Sequence, residues 1–353
     1  MSSSPLFMEA NDLGACQRSP ASLTWLESIV GGDLGPDVAT LVQSSSSLLS
    51  ARVLGTRRSL QPAEELVRHG GKRARMTLTA LISIGLELES DAAVALSAAA
   101  ELVHGATLIH DDVIDQGAQR RGAPAAHEVF GNKRAVLGGD ALLVEALKLL
   151  SERNLHGALG DMLSTLDDLL EGEYLQMERQ SQLPPDLGVA EQINRLKTAS
   201  LFGWCAGAPA RVAGAPDERT DALRRFGFHL GEGFQLIDDL LDLCGQRASL
   251  GKPGMQDLRD GKLNRAMCLL LEERPALLAP IEAFWATGEG TTPPPALLSG
   301  IDEAIWEVRL EARLRTQAQE LFDAGYAALE VLPSPKVREA LIALATHLAA
   351  RTQ

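Results

Sequence analysis

Ala99-Ala100-Glu101-Leu102-Val103-His104-Gly105-Ala106-Thr107-Leu108-Ile109-His110-Asp111-Asp112-Val113-Ile114-Asp115 is an apolar, helix-forming run that ends in an acidic pattern. The same ending, Asp238-Asp239-Leu240-Leu241-Asp242, follows Phe234-Gln235-Leu236-Ile237 more than a hundred residues later. Residues four apart on a helix lie one above the other, so Asp111 pairs with Asp115 and Asp238 with Asp242. Like charges at that spacing destabilise a helix unless a cation offsets them. Mg²⁺ suits that role, because it binds through one or two carboxylates plus the phosphates of a substrate. A single D-D-x-x-D is also compatible with a solvated acidic helix end. Two copies in matching apolar contexts favour two metal-binding clusters that clamp a phosphorylated substrate from both sides.

At 353 residues the chain is long enough to bury a large core. It is 45% hydrophobic but only 4% aromatic, and its richness in Ala and Leu favours helix over strand. A formal charge of −14 argues against a nucleic-acid surface, which would need a basic stripe. Cys16, Cys205, Cys244 and Cys268 show no C-x-x-C spacing and are expected to be reduced thiols in a cytoplasmic protein. Met1-Ser2-Ser3-Ser4-Pro5 opens no basic-then-apolar leader, so no signal peptide is expected. No run approaches the roughly 20 apolar residues that a membrane span needs.

Residues 1–20 are expected to form a flexible polar tail, and residues 21–353 one domain. Apolar periodicity predicts helices over 22–31, 36–50, 61–69, 73–87, 91–115, 131–152, 156–180, 188–214, 217–244, 262–272, 275–286, 296–327 and 334–351. No convincing alternating strand is found. The prediction is an all-α, single-domain helical bundle, an architecture that builds metal and ligand sites from side chains on facing helices.

Cations stand in short strings around the acidic motifs. Gly70-Gly71-Lys72-Arg73-Ala74-Arg75 opens a predicted helix, where free N–H groups and the helix dipole favour anions. Arg120-Arg121-Gly122 follows the first motif, and Arg forks match phosphate oxygens. Gly251-Lys252-Pro253 and Gly261-Lys262 follow the second, and Lys197-Thr198 lies in an otherwise apolar stretch. An isolated Lys is ordinarily a solvated surface charge. A Gly beside the cation lets the backbone approach a bulky anion.

These strings, with Gly131-Asn132-Lys133, Gly139-Asp140, Gly172-Glu173-Tyr174-Leu175-Gln176 and Lys197-Thr198-Ala199-Ser200-Leu201-Phe202, resemble the trans-isoprenyl diphosphate (polyprenyl) synthase family in order and spacing from about residue 60 to 270. The resemblance implies an isoprenoid-synthase-type bundle around a deep central cavity, in a homodimer. It implies condensation of an allylic diphosphate with isopentenyl diphosphate, with loss of pyrophosphate. On that basis Asp111, Asp115 and Asp238 would coordinate three Mg²⁺ ions, supported by Asp112, Asp239 and Asp242. Arg120, Lys197 and Lys252 would hold the allylic diphosphate. Lys72, Arg75, His104 and Arg121 would hold isopentenyl diphosphate, and Lys262 would close over the site. Carbonyls near Lys197 and Thr198, with the Gln235 side chain, would face the allylic cation. His110 is expected to pack beneath the site without a ligand role. The product would leave through loose membrane association, with no transmembrane segment.

Two segments depart from the family pattern. Thr-Leu-Pro ordinarily follows Gly-Lys one residue on, where this chain has Leu263-Asn264-Arg265, and Met76 stands where a Pro commonly follows the Arg. Competing readings are a class I terpene cyclase, a non-catalytic partner subunit and a short-chain C15 or C20 synthase. The intact aspartates and the Lys72, Arg75 and Arg121 set count against the first two. Ala106, five before the first Asp, is small and implies an open tunnel and a medium or long product.

Overall fold

A computed structural model describes Val30 and residues 34–69, 71–244, 255–288 and 292–350. The expected tail over 1–20, the expected helix over 22–31 except Val30, and Gly70, Lys252 and Cys16 lie outside the described residues. The chain is all-α. Helices α1 (Leu34–Val53), α2 (Gln61–His69), α3 (Ala74–Gly85) and α4 (Ser90–Ile114) come first. A two-residue hairpin, β1 (Gln119–Arg120) with β2 (Ala123–Pro124), then pairs Gln119 with Pro124 and Arg120 with Ala123. Next come α5 (Ala126–Phe130), α6 (Asn132–Glu152), α7 (His156–Arg179) and α8 (Leu187–Asn194). A π-turn over Arg195–Ala199 joins α8 to α9 (Ser200–Val212), which is followed by α10 (Asp217–Cys244). The remainder is α11 (Gln256–Arg259), α12 (Arg265–Glu273), α13 (Leu278–Trp285), α14 (Pro295–Glu307), α15 (Leu310–Tyr326) and α16 (Pro335–Ala349).

The centre of the bundle is α9. Every residue from Ser200 to Ala210 is buried, as a helix apolar on all sides must be. It packs on α10, α7, α3 and α4, while α4 also packs on α1 and α6. Contrary to the reading of the sequence, α4 is long and apolar enough to cross a membrane by length and composition. Yet 67% of that stretch is buried inside the protein, so its apolarity serves the core. Small buried residues such as Ala95, Ala98, Ala99 and Ala106 need little space, which lets α4 lie against several helices at once.

Helices stand close to where periodicity predicts them, except that the short α5 and α11 match no predicted helix, and with three further differences. The hairpin has no counterpart in the sequence pattern, because two residues per strand carry no alternation. Its turn is built from Arg121 at φ 52° and Gly122 at φ 79°. The expected helix over 188–214 contains the π-turn. The expected helix over 296–327 breaks at Arg309, which has φ 50° and neither Gly nor Pro beside it to announce a break.

Candidate active site

The two acidic motifs end α4 and lie near the end of α10, and both border one cavity of about 660 Å³. Asp111 and Asp115 line one side, while Asp238 and Asp239 line another. The cations expected from sequence also reach it, because Arg75, Arg120, Arg121, Lys197 and Lys262 all line the same space. His104, Thr198 and Gln235 join them. Residues as far apart in sequence as Arg75 and Arg265 thus meet around one space, because α4 and α10 face each other across it.

The six aspartates do not play one part. Asp111 is pushed up to about 6, first by burial, then by the neighbouring carboxylates of Glu173 and Asp115, against the opposing pull of Lys197. Asp115 accepts the Lys262 ammonium at 2.6 Å. Asp112 turns away from the cavity, because neighbours on a helix point about 100° apart. Its side chain is 4% exposed and accepts Arg120 Nε at 2.8 Å and Arg120 Nη2 as well. Asp112, expected to support the metal ions, instead orients Arg120 and does not line the cavity. Asp242 also departs from its expected place. Its Oδ1 accepts the Gln256 N–H at 2.9 Å and its Oδ2 the Asp257 N–H at 3.1 Å, so it caps α11 and does not line the cavity. Burial and then Asp257 push the Asp242 carboxyl up to about 7. Asp239 borders the cavity, but it accepts Gln235 Nε2 at 2.8 Å and the Arg265 N–H at 3.3 Å. Burial raises its carboxyl well above the usual range.

On the opposite wall the π-turn presents Lys197 and Thr198. The Lys197 ammonium pairs with Glu173 and donates to Gln176 Oε1 at 2.5 Å, both on α7. Gly172 makes that approach feasible, since a Cβ there would meet Leu196 Cβ at 2.7 Å and Lys197 N at 3.0 Å. Thr198 donates to Gln235 Oε1 at 2.8 Å, and Gln235 passes a second bond to Asp239. The amide of Gln235 is therefore fixed in orientation, with its oxygen on the Thr198 side.

A separate cationic group lies where α3 begins. Arg75 Nη1 is 3.4 Å from His104 Nε2, and its guanidinium stacks 4.5 Å from the Phe202 ring. Burial, then Arg75, pushes the His104 ring well below its usual value, so the imidazole is neutral. Burial also lowers Arg75 and Arg121. Gly71 lets Arg121 close on this group: a Cβ there would sit 2.7 Å from Arg121 Nη2. Lys72 stands exposed in the same loop.

Several cavity residues have no role that the sequence reveals. Glu173 belongs to one of the family-like strings, but only its pairing with Lys197 shows what it does. Arg179, Asp186 and Asp257 reach the cavity from loops and helix ends, where no periodic pattern marks them. Arg265 lines it too, and its main chain holds Asp239. The unusual Leu263-Asn264-Arg265 segment has a local logic: Asn264 Oδ1 accepts the Met267 N–H at 2.9 Å and caps α12. His110 packs on α6, with Nε2 3.2 Å from the Val136 carbonyl and 3.5 Å from Asp140 Oδ1. Ala106 is fully buried and does not line the cavity, whereas Thr107 does. The small residue expected to floor the cavity is therefore packed beside it, and Thr107 borders it instead.

Hard carboxylate oxygens on two walls and guanidinium and ammonium groups between them define an enzyme that handles diphosphates. The chain belongs to the polyprenyl synthetase family, whose profile matches residues 57–284, and is a prenyltransferase. It is 34% identical over 287 residues to octaprenyl diphosphate synthase of Escherichia coli (strain K12), covering 80% of this chain and 87% of that one. It is 35% identical over 297 residues to the all-trans-nonaprenyl-diphosphate synthase (geranyl-diphosphate specific) of Rhodobacter capsulatus, covering 81% and 87%. Among solved structures, a polyprenyl synthase from Caulobacter crescentus CB15, complexed with calcium and isoprenyl diphosphate, superposes with a TM-score of 0.81. The two are 31% identical, and 94% of this chain and 98% of that one are covered.

Proposed function

We propose that this chain is a Mg²⁺-dependent head-to-tail prenyltransferase that condenses an allylic diphosphate with isopentenyl diphosphate and forms a medium or long polyprenyl diphosphate. The observation that carries the reading is one cavity bordered by aspartates of both motifs and by two distinct cationic groups. The donors suit Mg²⁺: Asp111, Asp115 and Asp238 are hard oxygen ligands on opposed walls, and the substrate's phosphate oxygens would complete the coordination. When bound, the three ions would supply Lewis-acid neutralisation of the diphosphate.

Arg120, held by Asp112, and Lys197, held by Glu173, meet the charge that grows on the leaving diphosphate. Lys262 closes the same side. Lys72, Arg75, His104 and Arg121 hold isopentenyl diphosphate in the other group. The oxygen dipoles of the Lys197–Thr198 π-turn and of Gln235 face the allylic cation; the double bond of isopentenyl diphosphate attacks it to form the new C–C bond, and the departing pyrophosphate takes the proton that the adduct loses. Product length is expected to exceed C20, in keeping with the octaprenyl and nonaprenyl names of the two relatives above.

We place the enzyme in the cytoplasm as a homodimer, with loose membrane contact for release of its lipid product. Exposed Leu137 and Val144 on α6, with Leu163, Leu170, Tyr174 and Met177 on α7, form stripes at heptad-like spacing that support pairing of two copies. Asp111→Ala and Asp238→Ala test the central reading. Each should lower turnover by several orders of magnitude and leave the helical circular-dichroism signal intact; near-normal turnover in both would sink it.

A further inference from the structure

Helix α3 receives no cap from its own residues. Arg73, immediately before it, has φ 50° and ψ 32°, a left-handed conformation disfavoured for a residue with a Cβ, and its side chain makes no capping bond. The help comes from another helix. Glu101 of α4 accepts the Met76 N–H on Oε1 at 3.4 Å and Arg73 Nη1 on Oε2 at 3.1 Å. Its side chain is only 4% exposed, deep enough that its charge must be paired.

We propose that Glu101 is a positioning residue for the isopentenyl-diphosphate site, acting through Arg73 and the first turn of α3 to fix where Lys72 and Arg75 present their charges. The inference rests on the assignment of that site above. Lys72 and Arg75 flank the Arg73–Ala74 step, so the place where α3 begins decides both. His104 is three residues beyond Glu101 on α4 and meets Arg75 at 3.4 Å. One face of α4 therefore grips the segment at two points, Glu101 at Arg73 and His104 at Arg75. Two residues one turn apart on a rigid helix set the spacing of the site.

A plain counter-charge predicts the opposite outcome. Glu101 opposes the positive field at Arg75 and Arg121. If that were all it did, removing the charge would leave the site more cationic and tighten diphosphate binding. Loss of positioning weakens it instead, because the empty site relaxes and the ligand must gather it again.

Glu101→Gln preserves size and an oxygen for the Met76 N–H while removing the negative charge that faces Arg73. With both substrates varied, KM for isopentenyl diphosphate should rise about tenfold or more, with KM for the allylic substrate within about twofold and kcat within about threefold of wild type. Arg73→Gln should do the same, and the double variant should add little to either. A fall or no change in the isopentenyl-diphosphate KM of a folded Glu101→Gln enzyme overturns the proposal, as does an equal rise in both KM values. Should Glu101→Gln fail to fold, Arg73→Gln alone carries the test, and the same changes in KM support or overturn it. Arg121→Ala and Lys72→Ala separate the two levels of argument. If they raise that KM and Glu101→Gln does not, only the role of Glu101 fails; if none of them does, the site assignment fails with it.

Discussion

Lys262 Nζ lies 2.6 Å from Asp115 Oδ2, so the segment that follows the second acidic motif is fastened to the first. The side chains are 12% and 26% exposed, which shields the pair from solvent. Two bonds hold the same segment to the end of α7: the Ser181 N–H to the Gly261 carbonyl at 2.7 Å, and Gln180 Nε2 to the Asp260 carbonyl at 2.7 Å. Lys262→Met should therefore lower the melting temperature in chelator by a few degrees, as expected for about 1–3 kcal/mol from a shielded charged hydrogen bond. It should also reduce kcat by about tenfold or more, since an anion clamp is lost. Calorimetry in chelator that shows no change would mean the pair contributes nothing to the fold.

Asp111 supplies a pH test. Its carboxyl has a pKa of about 6 in the fold against 3.8 in the unfolded chain. Between those values the folded state keeps a proton that the unfolded chain has released, so the free energy of unfolding falls as pH rises. The loss is complete above about pH 6 and absent below about pH 4. Without metal, Asp111→Asn should thus melt a few degrees above wild type at pH 8, with at most about 3 kcal/mol gained, and equal to it at pH 4. A variant that melts lower at pH 8 would show that the ionised carboxylate is stabilised where it sits.

The two cationic groups should separate kinetically. Arg121→Ala or Lys72→Ala should chiefly raise KM for isopentenyl diphosphate, by removing contacts made equally in the ground and transition states. Lys197→Ala should depress kcat, since the charge it meets develops as the allylic bond breaks. Indistinguishable patterns from steady-state kinetics would mean that the residues are wrongly divided between the sites.

Thr107 carries the test of product length. Its side chain borders the cavity, so Thr107→Phe should shorten the product by one or more five-carbon units while sparing the first condensation. Ala106→Tyr should instead overpack a fully buried position and destabilise the fold by about 1–3 kcal/mol or more. Chromatography of the dephosphorylated products decides, and an unchanged product from Thr107→Phe would remove Thr107 from the wall that limits growth.

Long, strongly periodic helices are legible in the sequence because an apolar stripe repeats over many turns, as in α4 and α10. Asp111, Asp115, Asp238 and the Arg120-Arg121 pair are legible because their chemistry is written in adjacent residues. What escapes is tertiary. Asp112 and Asp242 look identical to their neighbours in sequence, yet one orients Arg120 and the other caps α11. Glu101 is equally silent, since its partners Arg73 and Met76 belong to a different part of the chain. The break at Arg309 depends on a residue at positive φ that carries a side chain and so advertises no turn, while the hairpin around Arg121 and Gly122 has strands too short to show alternation.

The π-turn over Arg195–Ala199 is an insertion point in an otherwise continuous helix. A π-turn holds about one residue more than an α-turn. Deleting one residue there would let α8 and α9 run on as a single regular helix with their faces unrotated, because the widened turn already absorbs the extra residue. Val189, Ala190 and Ile193 would stay on the cavity wall and Ser200 to Ala210 in the core. What would go is the wide turn that presents Lys197 and Thr198, so the extra residue serves the cavity and not the packing.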